Sequence, residues 1–336
     1  MPTLALDAVA LEKLVSAAVA APSIHNTQPW HFRLQPETSV LEVRAARERA
    51  LPAADPQGRA MHISVGAAVL NLRVAARHLG WAPEVRLLPD PADPDLFATV
   101  RLDETSPVRA PGTEGLYDAI WRRHSVRTPF TGAPIPADVL DGLVTAARAE
   151  EATLRLPGAE ETARLLELTA EAERRNTTDP AQRTESRNWI RSGDVPPYGI
   201  PVRALGPQDR EGRLPVRDFA AIRPVDHQPA ATFESEPRIA VLTTALDRPE
   251  DWLRTGLALE HVLLEATVHG VRASLLHQAM EWPELRWAAR EPHLGPECVQ
   301  FLIRLGYGPE GRATPRLAAA DVLDPERNLG QGDSPQ

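Results

Sequence analysis

Ala21-Pro22-Ser23-Ile24-His25-Asn26-Thr27-Gln28-Pro29-Trp30-His31-Phe32 joins an alanine-rich helix to a strand. Leu11, Leu14, Val15 and Ala18 lie on one face of the helix that runs into Pro22. Proline disfavours helix at the residue before it, so Ala21 and Gln28 are both expected to be extended. Between the two prolines sit Ser23, His25, Asn26, Thr27 and Gln28, all able to hydrogen-bond. The result is a stiff, polar helix-to-strand loop. Local chemistry alone fits an ordinary capped connection equally well.

Outward from this loop, Trp30 to Gln35 and Val40 to Ala45 read as two strands around the polar turn Pro36 to Ser39. Gly66 to Gly80 reads as a second helix, apolar along Val69, Leu72, Ala76 and Leu79 and stopping at a glycine. Glu84 to Leu88 and Leu96 to Leu102 read as strands split by the turn Pro89 to Asp95. After a Pro/Gly-rich joint at Thr105 to Gly115 the pattern begins again. Leu140 to Ala147 repeats the first helix in form: Leu, two residues, Leu-Val, a hydroxyl, Ala-Ala. Gly256 to Gly270 repeats the second, with Gly66/Gly256, Ala68/Ala258, Ala76/Ala266 and Gly80/Gly270 in register. Strands at Ser274 to His277 and Cys298 to Leu305 follow. Two matches in the same order predict an internal duplication. The expected halves are 1–110 and 111–330, with a tail at 331–336.

The halves differ where it matters. Half one has the polar loop, whereas half two has Ala149-Glu150-Glu151-Ala152 in that position. Half two is preceded by Trp121-Arg122-Arg123-His124-Ser125-Val126-Arg127, which half one lacks. If such halves pack face to face, loop and arginine segment meet at one junction and leave the other empty. Half two also holds an insert, about Glu171 to Pro237, rich in Pro, Arg and Gly. Long irregular loops often serve as lids or binding loops; a mobile surface excursion is the alternative. Trp189, Tyr198 and Phe219 favour a segment that packs on something.

In an extended Arg123-His124-Ser125-Val126-Arg127, alternation points Arg123, Ser125 and Arg127 to one side. Two guanidinium forks and a hydroxyl suit a phosphate, although a solvated basic patch ahead of a helix has the same letters. Arg316, after the last strand, adds a third candidate guanidinium. Asn26 and Gln28 suit the edge of a heterocycle or polyol, since an amide donates and accepts at once. His25, His31 and His124 are available as proton donors or as structural hydrogen-bonding residues. No H-E-x-x-H, Walker A or G-x-S-x-G pattern occurs.

Composition narrows the field. The 336 residues exceed a single average domain of about 150. A net charge of -9 argues against a general nucleic-acid surface. Lys13 is the sole lysine, so an anion site here is an arginine site. Cys298 is the sole cysteine, which rules out an intrachain disulfide and a cysteine-based zinc cluster. No apolar run of about 18 residues is present. Asp7, Glu12 and Lys13 interrupt the alanine-rich start, so no secretory signal is expected and a cytoplasmic protein is.

Pro22-Ser23-Ile24-His25-Asn26-Thr27-Gln28-Pro29-Trp30-His31-Phe32 resembles the P-S-x-x-N-x-Q-P-W-x-F signature of the nitroreductase family of flavoenzymes. Arg123-His124-Ser125-Val126-Arg127 resembles that family's R-[RH]-S-x-[RK] flavin segment. The Gly306-Tyr307 turn followed by Arg316 is similar to its C-terminal phosphate-binding region. The order departs from an ordinary member, which puts the arginine segment first and builds its sites between two identical subunits. This chain reads as both subunits fused, similar to the actinobacterial Acg-like branch. The resemblance implies an α+β fold with largely antiparallel sheets flanked by helices, two tandem halves forming an intrachain pseudo-dimer, and one FMN per chain under a lid-like insert. It implies that Arg123, His124, Ser125, Arg127 and Arg316 hold the phosphate and ribityl end. Pro22, Ser23, Ile24 and Asn26 then line the isoalloxazine, Gln28 joins them or braces the loop, and backbone near Leu276 and His277 approaches N5. NAD(P)H as electron donor and a nitroaromatic, quinone or unknown acceptor follow from the same resemblance. So does a monomer, since the pseudo-dimer is internal. The alternative is an FMN-sequestering protein with little turnover.

Overall fold

The computed structural model describes residues 6–104, 115–191, 197–217, 229–291, 293 and 295–324. Asp7 starts helix α1 (Ala8–Val19), its carboxylate accepting from the Ala10 N–H at 2.7 Å, as an N-cap does. β1 (Trp30–Gln35) and β2 (Val40–Ala45) form the expected antiparallel hairpin, with Trp30 opposite Ala45 and Gln35 opposite Val40. β3 (Trp81–Leu87) and β4 (Leu96–Glu104) complete an antiparallel sheet ordered β1-β2-β4-β3. Helix α2 (Arg59–His78) joins β2 to β3.

Beyond α3 (Leu116–Arg122), α4 (Ala137–Ala149) leads into β5 (Thr153–Arg155). Then come α5 (Ala159–Thr178), α6 (Pro180–Asn188) and two short parallel pairs. These are β6 (Ile190–Arg191) with β7 (Ile200–Pro201), and β8 (Gln208–Asp209) with β9 (Ala230–Ala231). β10 (Arg238–Thr244), α7 (Pro249–Val268), β11 (Arg272–Leu276), α8 (Pro283–Ala288), β12 (Cys298–Gly306) and α9 (Ala319–Val322) follow. The second sheet is antiparallel and ordered β11-β12-β10-β5. Matched strand for strand, β5-β10-β12-β11 has the order of β1-β2-β4-β3. The insert leaves between the first and second strands of its sheet, where the other sheet has only the Pro36–Ser39 turn. The α+β class with antiparallel sheets is as expected.

Each sheet backs onto its own apolar cluster. Leu14, Trp30, Phe32, Leu70 and Phe97 belong to the first, Leu143, Leu154, Val262 and Ile303 to the second. The central helices cross between them, because Leu253, Leu257 and Leu264 of α7 enter the first cluster and Ile63 of α2 enters the second.

Three expectations need correcting. The central helices begin at Arg59 and Pro249, not at Gly66 and Gly256. Asp55, accepting from the Ala60 and Met61 N–H groups at 3.0 and 2.9 Å, starts α2, and Pro249 in the first turn starts α7. Both glycines are mid-helix, where α2 and α7 touch. Secondly, the start of the insert is helical. α5 buries Leu165, Thr169, Ala172 and Asn176 at helical spacing, and Asp179 caps α6 by accepting from the Gln182 N–H at 2.9 Å. Its few apolar letters hid that face. Thirdly, β11 ends at Leu276, so His277 lies just past the strand. The joint at 105–114, with the proposed boundary at 110/111, lies outside the described residues, as do Phe219 and the tail.

Candidate functional site

The opening loop contains a short 3-10 turn, Ile24–Asn26, and along the loop His25, Asn26 and Gln28 have φ of +48°, +55° and +53°. Gln28 is therefore not extended, contrary to the local expectation. Left-handed non-glycine backbone costs about 1 kcal/mol or more per residue, and tertiary hydrogen bonds hold it here. The Gln28 N–H donates to Ser23 Oγ at 2.9 Å, and Arg49 donates to the Gln28 carbonyl at 2.7 Å. The Gln28 amide donates to the Pro197 carbonyl at 2.8 Å and accepts from the Leu317 N–H at 2.9 Å. Asn26 donates to the Gly199 and Pro315 carbonyls at 2.9 and 3.0 Å and accepts from Arg316 at 2.9 Å. The loop is thus tied to both the insert and the C-terminal segment.

The arginine segment leaves α3 in extended form and lies beside β11. Ser125 bridges to Ala273, and the Val126 N–H donates to the Ala273 carbonyl at 2.8 Å. Val126 is buried away from the site. The chain leaving β12 passes this segment so closely that a Cβ on Gly311 would stand 2.8 Å from the His124 Cβ. It then runs through Arg316 to α9, and the Asp324 N–H donates to the Phe32 carbonyl of β1 at 2.8 Å.

These segments surround one cavity of about 1260 Å³, part of it open to solvent. Pro22, Ser23, Ile24 and Asn26 line it from the loop, and Arg123, His124, Ser125 and Arg127 from the arginine segment. Leu276 and His277 come from the end of β11, and Arg316 from the C-terminal segment. His124 joins the three side chains expected to share a side. Gln28 is the exception: fully buried, its amide spent on Pro197 and Leu317, it braces the loop and does not reach the cavity.

Sequence reasoning missed several lining residues. Ile200, Leu205, Val216 and Arg217 come from the insert, and Ser64, Glu281, Phe301 and Arg312 from elsewhere. No local pattern marks Arg217, which donates to Glu281 and contacts His25 Nε2 at 2.7 Å. Glu281 follows His277 by four residues and meets its Nδ1 at 3.1 Å, a spacing that was visible but unremarkable.

The electrostatics are those of crowded cations. Burial, with Arg123 nearby, brings Arg316 down to about 9. Burial and then Arg217 bring Arg127 down to about 10. His25 falls to about 3, from burial and then Arg217, and stays neutral. Burial would raise Glu281, but Arg217 and His277 overcome it and hold the carboxyl at about 2. Buried guanidiniums repel one another, and an anion relieves them. Beside them, Ile24, Ile63, Leu259, Leu276 and Phe301 offer apolar surface to a flat ring. The donor set fits a phosphate carried on an aromatic system. Among the described residues no helix is long and apolar enough to cross a membrane.

Relatives from Mycobacterium tuberculosis match along almost the whole chain. One, provisionally named an NAD(P)H nitroreductase, is 32% identical over 334 residues, covering 97% of this chain and 94% of its own. Another, provisionally named NAD(P)H nitroreductase acg, is 28% identical over 331 residues, covering 96% and 98%. Among solved structures, the FMN and NADPH-dependent nitroreductase NfnB from Sphigopyxis sp. strain HMH is 16% identical, with a TM-score of 0.39, covering 63% of this chain and 98% of that one. No family model matches the chain.

Proposed function

This chain belongs to the nitroreductase family, and on that premise we propose that it is an oxidoreductase binding one FMN per chain. The observation that carries the reading is the meeting of the loop and the arginine segment, some 100 residues apart in the chain, on a single cavity with surplus guanidinium charge. FMN, when bound, supplies hydride and electron transfer.

The chain's part is to hold and shield that group. Arg123, Ser125, Arg127 and Arg316 would take the phosphate and ribityl end, where paired, permanently charged donors serve best. Pro22, Ser23, Ile24 and Asn26 would face the isoalloxazine, with backbone near Leu276 and His277 toward its reactive edge. Asn26 keeps the two sides in register through Arg316. The two sheets of like order support a pseudo-dimer within one chain, which makes a monomer sufficient. The absent loop in half two leaves the second junction without a site. NAD(P)H is the proposed electron donor, as the relatives' names suggest, with a small nitroaromatic or quinone as acceptor.

A second reading, flavin sequestration, is favoured by one observation. Ile200, Leu205 and Val216 of the insert line the cavity, and Arg217 reaches from the insert to pair with Glu281. Anaerobic mixing of the flavin-loaded protein with NADH or NADPH separates the two. An oxidoreductase loses its flavin absorbance near 450 nm within the catalytic timescale of about 1 s or less and regains it on addition of a quinone or nitroaromatic. A flavin that neither donor bleaches would sink the oxidoreductase and leave sequestration.

A further inference from the structure

Glu260, on α7, is completely buried, and among the described residues neither of its oxygens accepts a well-aligned hydrogen bond. Arg123 Nε stands 3.3 Å from its Oε1, an ion pair without hydrogen-bond alignment. Facing it from α2 is Asn71, also wholly buried, whose amide favours the charged carboxylate although neither amide atom makes a well-aligned hydrogen bond. The charged groups that bear on it are Arg123 and, more weakly, Arg316. Its helix neighbour His261 is turned away to Glu150, which also takes Arg73. The same two guanidiniums are those assigned above to the phosphate. One carboxylate and one phosphate therefore compete for them.

We propose that Glu260 is a positioning residue that holds Arg123 in the empty site and takes up a proton from solvent when the phosphate arrives. This rests on the reading of the cavity as an FMN site. Without a ligand the Glu260 carboxylate neutralises Arg123. With a phosphate dianion on Arg123 and Arg316, a second buried anion in the same place is repelled, and the neutral carboxylic acid is favoured. The balance is simple: carboxylate plus solvent proton gives carboxylic acid, and no other bond changes. Burial already lifts Glu260 to about 7 against the pull of Arg123, so the group is poised to change. The direction follows by linkage. Binding that takes up a proton weakens as pH rises above the free protein's value, by up to about tenfold per pH unit.

The test is FMN affinity between pH 6.5 and 8.5, with calorimetry at pH 8 in two buffers of different ionisation enthalpy. FMN's own phosphate, with a second pKa of about 6, is already largely dianionic from pH 7 upward, the range that the comparison uses. The wild-type Kd should rise about tenfold between pH 7 and pH 8.5, with uptake of close to one proton. Glu260→Gln, a permanent stand-in for the neutral acid, should flatten that rise and bind FMN more tightly than wild type at pH 8.5. Riboflavin, without the phosphate, should take up no proton. Parallel pH profiles for the two proteins overturn the inference, and no proton uptake by the wild type overturns it even if the variant does not fold; uptake that persists in Glu260→Gln assigns the proton to His124, whose imidazole lines the same cavity, and overturns it as well. A protein that binds no FMN at any pH overturns the FMN reading as well, so the two failures are distinct.

Discussion

Gly256→Ala is expected to destabilise the chain by about 3 kcal/mol or more, beyond the usual cost of one added methyl in a packed interior. A Cβ at Gly256 would stand 2.1 Å from the Ile63 carbonyl oxygen and 2.8 Å from Gly66 Cα. One at Gly66 would stand 2.1 Å from the Leu253 carbonyl oxygen. These are backbone atoms, so no side chain can swing aside; α2 and α7 must separate, and both apolar clusters that they share loosen together. Gly66→Ala should behave alike. Gly142→Ala is the control: its Cβ would meet only the Glu265 side chain, Oε1 at 3.5 Å and Cγ at 4.0 Å, and helix propensity favours alanine by about 0.5–1 kcal/mol. Urea denaturation of the three variants checks this. A loss at Gly256 no larger than about 1 kcal/mol would mean that the two helices do not meet as described.

Glu234→Ala should cost about 3–5 kcal/mol, the range for removing one partner of a buried ion pair. Arg304 has no exposure, and its Nη2 donates to Glu234 at 2.7 Å, with Nε donating to the other oxygen. Glu234 also accepts from the Phe130 N–H at 3.0 Å, and the Arg304 guanidinium lies 3.9 Å from the Phe130 ring centre. Burial works to raise the Glu234 carboxyl, but Arg304 prevails and holds it below the ordinary range. That stabilisation is present above the ordinary carboxylate pKa and is lost as pH falls through the lowered value. Because Glu234 stands where the insert returns to β10, the variant should also raise proteolysis within 171–237. Pairing it with Arg304→Met should recover most of the stability, since the stranded charge is gone. A double variant no more stable than the single would contradict the ion-pair account.

What the sequence disclosed, and what it hid, follows from the range of the forces involved. The hairpin at Trp30 and Val40 was readable to the residue because alternation and the turn at Pro36 are local. Gly66 and Gly256 stand in register in the sequence and look like helix starts, yet both lie mid-helix. They are conserved in form between the halves because two helices cross there, and crossing leaves no local trace. Gln28 shows the same limit: proline at 29 argued for extended backbone, and contacts with Pro197 and Leu317, 169 and 289 residues away, set φ to +53°. The loop and arginine segment stood out because several chemically unusual residues sit together. Arg217, Glu281 and Glu260 did not, since each is an ordinary charge until folding brings a partner from a distant element. The helices of the insert were hidden for a different reason: α6 is almost wholly polar, and α5 carries only a thin apolar face.

The most direct test of a single site shared by the two halves is titration of the apoprotein with FMN, for wild type, Arg123→Ala and Asn26→Ala. The account predicts one FMN per chain. It predicts that each substitution, though the two lie in different halves, weakens binding by about tenfold or more, the loss of a contact of roughly 1.5–3 kcal/mol. Two FMN per chain, or an affinity that either substitution leaves unchanged, would contradict it.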